Sequence, residues 1–220
     1  IGLFRPNHMQ ATRIIAIRHG ETAWNVDTRI QGQLDVELNE TGLWQARQVA
    51  RALREEPLAA VYASDLARAY RTAEAIAQSA GLQPIPTPAL RERHFGLFQT
   101  RTWNEIERLW PDQAQLWRTR VPDWAPEGGE SLVALRDRVS HAVNTLAAQH
   151  LGEQIVLVAH GGIMDVLYRL ATGLDLQAPR TWSLGNAVIN RLLWSPQGLT
   201  LVGWGDDQHL QGAGRDEISA

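Results

Sequence analysis

Two apolar runs in this chain end on a His-Gly pair: Ile14 to Ile17 leads into Arg18, His19 and Gly20, and Ile155 to Ala159 into His160, Gly161 and Gly162. Strands that end this way bring two imidazoles to one sheet edge. Open α/β sheets gather ligands at such an edge, and glycine there lets backbone approach a bound anion closely. An imidazole fixed through one nitrogen is left nucleophilic at the other. A lone histidine in this setting reads most simply as a buried ring satisfied by backbone; its repetition at a second strand end turns the reading toward an active site. Arg18, beside His19, is placed to hold an anion. Arg68 falls in the first turn of a helix that follows another strand, where the helix dipole favours anions over cations. A bound anion offsets that mismatch; pairing with Asp65 or Glu74 is the alternative. Glu92, in a loop between Arg91 and Arg93, has the profile of a general acid, against the plainer alternative of a solvated ion-pair cluster. Two arginines, two histidines and one carboxyl suit a phosphoryl group, whose transferred oxygens carry spread negative charge. Metal binding, the competing use of histidine, is disfavoured by the arginines in the same loops. His94, His141, His150 and His209 have no comparable setting and read as surface or core residues.

Alternating strands and helices must carry these side chains. Residues 13–17 read as a first buried strand and 41–55 as a helix with Leu43, Ala46, Val49, Ala50 and Leu53 on one face, Thr41 being its expected N-cap. A second strand is expected over 58–63 and a helix over 66–80, capped by Asp65 and stopped by Gly81. Shorter helical pieces follow near 103–109 and 112–118. Ser131 opens a long helix to about residue 149. A third core strand spans 154–159, its helix 162–171, and 187–194 with 199–204 read as a hairpin. This alternation implies a three-layer α/β/α sandwich, mainly parallel, with an antiparallel addition. One domain over residues 11–205 is expected, with flexible termini at 1–10 and 206–220. Trp103, Trp110, Trp117 and Trp124 recur every seven residues, but Pro111 and Pro122 interrupt any continuous helix. They read either as anchors of a subdomain over the sheet edge or as part of a lid that favours an apolar or ring-bearing substrate.

Composition narrows the chemistry. The chain has 220 residues, a net charge of -3 and no cysteine, and all 21 basic residues are arginine. The absence of lysine excludes a P-loop lysine and Schiff-base catalysis; the absence of cysteine excludes thiol nucleophiles, thiolate zinc sites and disulfides. The charge balance argues against a sequence-independent nucleic-acid binder. No leader pattern and no run of about 18 apolar residues is seen, so no membrane partner is expected and a cytoplasmic protein is the default. Exposed tryptophans would favour a homodimer.

At this point the residues closely resemble the histidine phosphatase superfamily, with its phosphoglycerate-mutase-like fold, over residues 13–204. The resemblance rests on five blocks in the family's order. They are Ile17 to Thr22 with Asn25, Gln31 and Gly32; Ser64, Asp65 and Leu66 with Arg68, Ala69, Thr72 and Ala73; Leu90, Arg91 and Glu92 with Gly96; Gly129, Glu130 and Ser131; and Ala159 to Gly162. It implies that His19 becomes a phosphohistidine, that Arg18, Arg68 and His160 hold the equatorial oxygens, and that Glu92 protonates the leaving alcohol and then activates water. Asn25, Gln31, Gly32 and Gly161 would add phosphate or substrate contacts, with no metal or organic cofactor needed and a small phosphorylated metabolite as partner. Within the family, Phe95 stands where mutases usually have tyrosine, the mutase lysine is missing near Trp103, and the long mutase insertion before Glu130 is absent. Gln99 and Thr100 replace a Glu-Gly frequent among phosphatases. A phosphomonoesterase is favoured over a 2,3-bisphosphoglycerate-dependent mutase, and a catalytically silent phospho-ligand binder is the third reading.

Overall fold

The structure, a computed structural model, describes residues 10–211. Strand β1 (Thr12–Arg18) leads through the short helix α1 (Ala23–Val26) to α2 (Glu40–Leu53); β2 (Ala60–Ala63), α3 (Ala67–Ser79) and β3 (Pro84–Pro86) follow. A helical excursion, α4 (Trp103–Leu109) and α5 (Pro111–Arg118), precedes α6 (Leu132–Ala147). Strand β4 (Gln154–Ala159), α7 (Gly161–Thr172), β5 (Ile189–Ser195) and β6 (Gly198–Asp206) complete the fold.

The six strands form one sheet in the order β3-β2-β4-β1-β5-β6. The first four are parallel, β5 runs antiparallel to β1, and β6 antiparallel to β5. This is the expected α/β architecture with an antiparallel addition. Proline-flanked Ile85 lies on an edge strand, the position where missing backbone donors cost least. Period-two alternation divides β1 between two cores. Ile14 and Ala16 pack with Leu135, Val139 and Val143 of α6 and Ile163 and Leu167 of α7. Ile15 and Ile17 pack with Val49 and Leu53 of α2 and Ala73 and Ile76 of α3. β1 is thus buried on both faces, and its apolar run ends where the sheet edge begins.

Two expected caps are corrected. Helix α2 begins earlier than residue 41, because Asn39 accepts the Gly42 N–H at 2.8 Å and is the N-cap. Asp65 does not cap α3; its carboxylate takes both branches of the Arg91 guanidinium at 2.6 Å, leaving Leu66 as an N-cap without a side-chain bond. The expected boundary at residue 205 also falls short of what is built. Strand β6 runs to Asp206, a 3-10 turn spans Gln208–Leu210, Leu210 packs on the α2/α3 core, and His209 Nε2 donates to the Ala187 carbonyl at 2.7 Å. The other residues expected to be flexible, 1–9 and 212–220, lie outside the described residues. No helix among the described residues is long and apolar enough to cross a membrane.

The four regularly spaced tryptophans do not line one helix. Trp110 ends α4, Pro111 starts α5, and the rings of Trp110, Trp117 and Trp124 lie 5.8, 5.6 and 5.9 Å from Phe98, which is fully buried with Ile106 and Ala114. They build a small aromatic core of their own beside the sheet.

Candidate functional site

The parallel pairing of β1 with β4 aligns Arg18 with Ala159, so His19 and His160 emerge side by side. Their ring centroids are 5.2 Å apart with planes tilted by 58°. Both rings are buried, at 2 % and 0 % exposure. His19 Nδ1 lies 2.6 Å from the Gly20 carbonyl, which can only accept, so Nδ1 carries the proton and Nε2 keeps its lone pair. His160 Nε2 meets Ser64 Oγ at 2.8 Å; that oxygen also accepts the Leu66 N–H at 3.3 Å. With the hydroxyl proton directed at Nε2, the ring proton of His160 sits on Nδ1, which has no protein partner among the described residues. Burial, reinforced by the positive charges of Arg18 and Arg68, holds both imidazoles well below their ordinary pKa near 6.5, so both are neutral.

The two arginines are held by carbonyls rather than carboxylates. Arg18 Nη1 donates to Leu184 O at 2.5 Å; Arg68 donates to Leu34 O and Gly32 O at 2.6 Å each. The expected alternatives for Arg68 are not used: Asp65 pairs with Arg91, and Glu74 with Arg71. Arg68 is 1 % exposed, and burial lowers its pKa to about 10. The Nε atoms of Arg18 and Arg68 are buried without a partner among the described residues. Buried donors in proteins are almost always satisfied, so such a set calls for an acceptor from outside the chain.

Glu92 stands across from these donors on the loop after β3. Gly162 N–H, in the first turn of α7, donates to Oε2 at 3.0 Å and Arg93 N–H donates to Oε1 at 2.7 Å. A Cβ on Gly162 would lie 2.3 Å from Glu92 Oε1, so the glycine makes room for the carboxyl group. Arg138 pins the loop by donating to the carbonyls of Ala89, Arg91 and Glu92 and to the Glu130 carboxylate.

Arg18, His19, Asn25, Gln31, Gly32, Arg68 and Glu92 share the lining of one cavity of about 150 Å³, together with Arg29, Ile30 and Phe95. Asn25 Oδ1 accepts the Thr22 N–H at 3.0 Å and Gln31 Oε1 accepts the Thr22 hydroxyl at 2.8 Å, which leaves each NH2 group without a partner among the described residues. Gly32 serves mainly through its carbonyl on Arg68. His160 does not itself line this cavity but lies beside His19, 5.2 Å from ring to ring, and Gly161 lies against Arg18, whose Nε would be 3.5 Å from an added Cβ. Sequence reasoning missed the parts that hold the wall in place: Asn186, whose amide donates to the His19 carbonyl at 2.9 Å, Leu184, and Arg138. The other histidines among the described residues lie away from this cavity. His94 Nδ1 accepts from Gly96 N, His150 bridges Tyr62 and Glu153, and His141 is exposed. No group of three or more His, Asp or Glu side chains among the described residues is placed to hold a metal ion.

A family model described as histidine phosphatase superfamily (branch 1) matches residues 14–207. Among curated proteins the chain is 38 % identical over 215 residues to phosphoglycerate mutase-like protein 4 of Arabidopsis thaliana, covering 96 % of this chain and 92 % of that one. It is 38 % identical over 208 residues to the metal-independent phosphoserine phosphatase of the same plant, covering 93 % and 86 %. Among solved structures, a mycobacterial glucosyl-3-phosphoglycerate phosphatase superposes with a TM-score of 0.80 at 34 % identity, covering 90 % of this chain and 100 % of that one.

Proposed function

This chain belongs to the histidine phosphatase superfamily, and from that premise we propose that it is a phosphomonoesterase that hydrolyses a small phosphorylated metabolite through a phosphohistidine on His19. One observation carries the reading: three buried N–H donors, Arg18 Nε, Arg68 Nε and His160 Nδ1, have no acceptor among the described residues, and they belong to the side chains that neighbour a neutral imidazole with a free Nε2. A phosphoryl group supplies the acceptors. Its three equatorial oxygens take these donors and the free amides of Asn25 and Gln31, which stabilises charge that grows in the transition state.

His19 Nε2 attacks phosphorus as the bond to the ester oxygen breaks, and Glu92, entering as the carboxylic acid, gives its proton to the departing alcohol. Glu92, now a carboxylate, removes a proton from water; that water attacks phosphorus, the N–P bond breaks, and inorganic phosphate leaves with His19 neutral again. The relatives support hydrolysis through their names, a phosphoserine phosphatase and a glucosyl-3-phosphoglycerate phosphatase.

The test is turnover of phosphate monoesters in metal-free buffer, with an alkaline quench and work-up that preserve an acid-labile label. Hydrolysis that survives EDTA, a label on His19, and a loss of at least about 10³-fold in His19→Ala are expected. Loss of activity on EDTA would overturn the mechanism. The phosphoglycerate mutase-like relative keeps a second reading in view. Primer-dependent exchange between 3- and 2-phosphoglycerate that outruns hydrolysis would replace the phosphatase by a mutase.

A further inference from the structure

Next to the phosphoryl cavity lies a larger one, of about 470 Å³, whose wall includes Arg93, Arg120, Arg180, Trp103, Trp117 and Leu132. The two adjoin. Glu92 lines the first and the next residue, Arg93, lines the second, and Phe95 of the first cavity lies 5.0 Å, ring to ring, from Trp117 of the second. Among the described residues no carboxylate lines the second cavity.

Its arginines are built into place. Arg93 is 6 % exposed, donates through Nε to the Glu130 carbonyl at 2.8 Å, and stacks over Trp117 with its guanidinium carbon 4.9 Å from the ring centre. It forms no ion pair among the described residues, since Glu130 is taken by Arg138. Arg120 has φ +52°, a conformation a side-chain-bearing residue adopts at an energetic cost, and such strain persists only where surroundings enforce it. Here Leu176 O holds its Nε at 2.6 Å and buried Asp165 holds Nη2 at 2.8 Å, with Arg169 bracing Asp165 from the other side at 3.0 Å. Nη1 is left without a partner among the described residues. Arg180 is exposed and, within the same set, unpaired. Four arginines therefore gather at one hollow: Arg118 is paired with Glu107 and Arg120 with Asp165, while Arg93 and Arg180 have no ion pair among the described residues. Burial and the charge of Arg120 lower the Arg93 pKa to about 10, and Arg180 acts in the same direction on Arg120.

Resting on the phosphatase reading, we infer that the alcohol released is a bulky one carrying a second anionic group, which Arg93, Arg120 and Arg180 hold while its apolar or ring-bearing body lies against Trp103 and Trp117. A three-carbon acid alone would leave most of this volume unfilled, whereas ligand sites of several hundred Å³ suit larger organic groups. The second anion takes charge-assisted hydrogen bonds from Arg93 and Arg180 and from the Nη1 that Arg120 leaves unpartnered among the described residues.

Three esters that differ only at the far end test this: benzyl phosphate, 4-carboxybenzyl phosphate and 4-(phosphonomethyl)benzyl phosphate. Their affinities are measured by titration calorimetry on the full chain carrying His19→Ala, which separates binding from turnover. At least one anionic ester is expected to bind about tenfold or more tighter than benzyl phosphate, and the better of the two tells a planar carboxylate from a tetrahedral phosphonate. Adding Arg180→Met, at an exposed position where folding is not at stake, should cut that advantage to less than about threefold. Equal affinities for all three, no measurable binding of either anionic ester, or an advantage untouched by Arg180→Met would each overturn the inference. Turnover of the same esters by the unsubstituted chain bears on the phosphatase reading alone.

Discussion

At the scale of single residues, the site depends on how neutral and charged groups are oriented rather than on their number. Glu92 is the clearest case, because its carboxyl occupies space that only Gly162 leaves open. Gly162 lies in the first turn of α7 and the group a Cβ would meet is the end of a flexible side chain, so Gly162→Ala should still fold, with a modest loss of stability from the hydrogen bonds that Glu92 gives up. The added methyl displaces the flexible end of Glu92, and kcat should fall by about 10²-fold, within the range that general acids contribute. Steady-state kinetics beside a thermal melt decide it; unchanged kcat would mean that Glu92 acts from elsewhere. The two histidines, Arg18 and Arg68 were legible in the sequence because each sits at a strand end or helix start that marks itself with Gly, Ser or a break in apolar pattern; Glu92 lies in a loop and was marked only by its flanking arginines and by the family resemblance. Leu184 and Asn186 were not. Leu184 works through its backbone oxygen and Asn186 from a loop far along the chain, and neither backbone acceptors nor distant contacts leave a local signature.

At the scale of elements, the helical excursion between β3 and α6 is a separate packing problem. Its core is Phe98 enclosed by three tryptophans, and its members also reach the two cavities through Phe95, Trp103 and Trp117. Phe98→Ala removes the centre of that cluster and should cost about 3–5 kcal/mol, a drop in Tm of roughly 6–20 °C for a chain this size. Should calorimetry show a drop under 2 °C, the aromatic cluster would not be a core. The sequence displayed the sevenfold spacing of the tryptophans but not their partner, since Phe98 lies in a 3-10 turn without periodicity. Element types and order were readable elsewhere from apolar period alone. Caps were less so: Asn39 outcompetes Thr41 because it also donates to the Glu21 carboxylate at 2.9 Å, and Asp65 is drawn away by Arg91, contacts that exist only once the chain has folded.

At the scale of the whole molecule, two buried neutral imidazoles tie stability to acidity. In the unfolded chain each takes up a proton near pH 6.5, whereas the native rings, with lowered pKa, do not. The unfolded state then binds more protons, so the full contribution is present above about pH 7.5 and is lost as pH falls below 6.5, by up to about 1.4 kcal/mol per pH unit for each ring. Urea melts from pH 7.5 to 5.5 should show this slope, and the His19→Asn, His160→Asn double variant should show a flatter one; parallel profiles would mean that the native rings protonate freely. The sheet order was only half visible in the sequence. Alternation implied parallel neighbours, but which strands adjoin is a matter of long-range pairing. That pairing governs how the molecule is made. Among the described residues β1 is flanked by β4 and β5 alone, so the strand that leads into His19 leaves the ribosome long before either neighbour has been translated. It must wait, with an apolar segment unpaired, until synthesis has passed Gln154. Assembly of this protein is therefore expected to be slow and largely post-translational, and shielding of the early-emerging strand is the step at which a chaperone would have most effect.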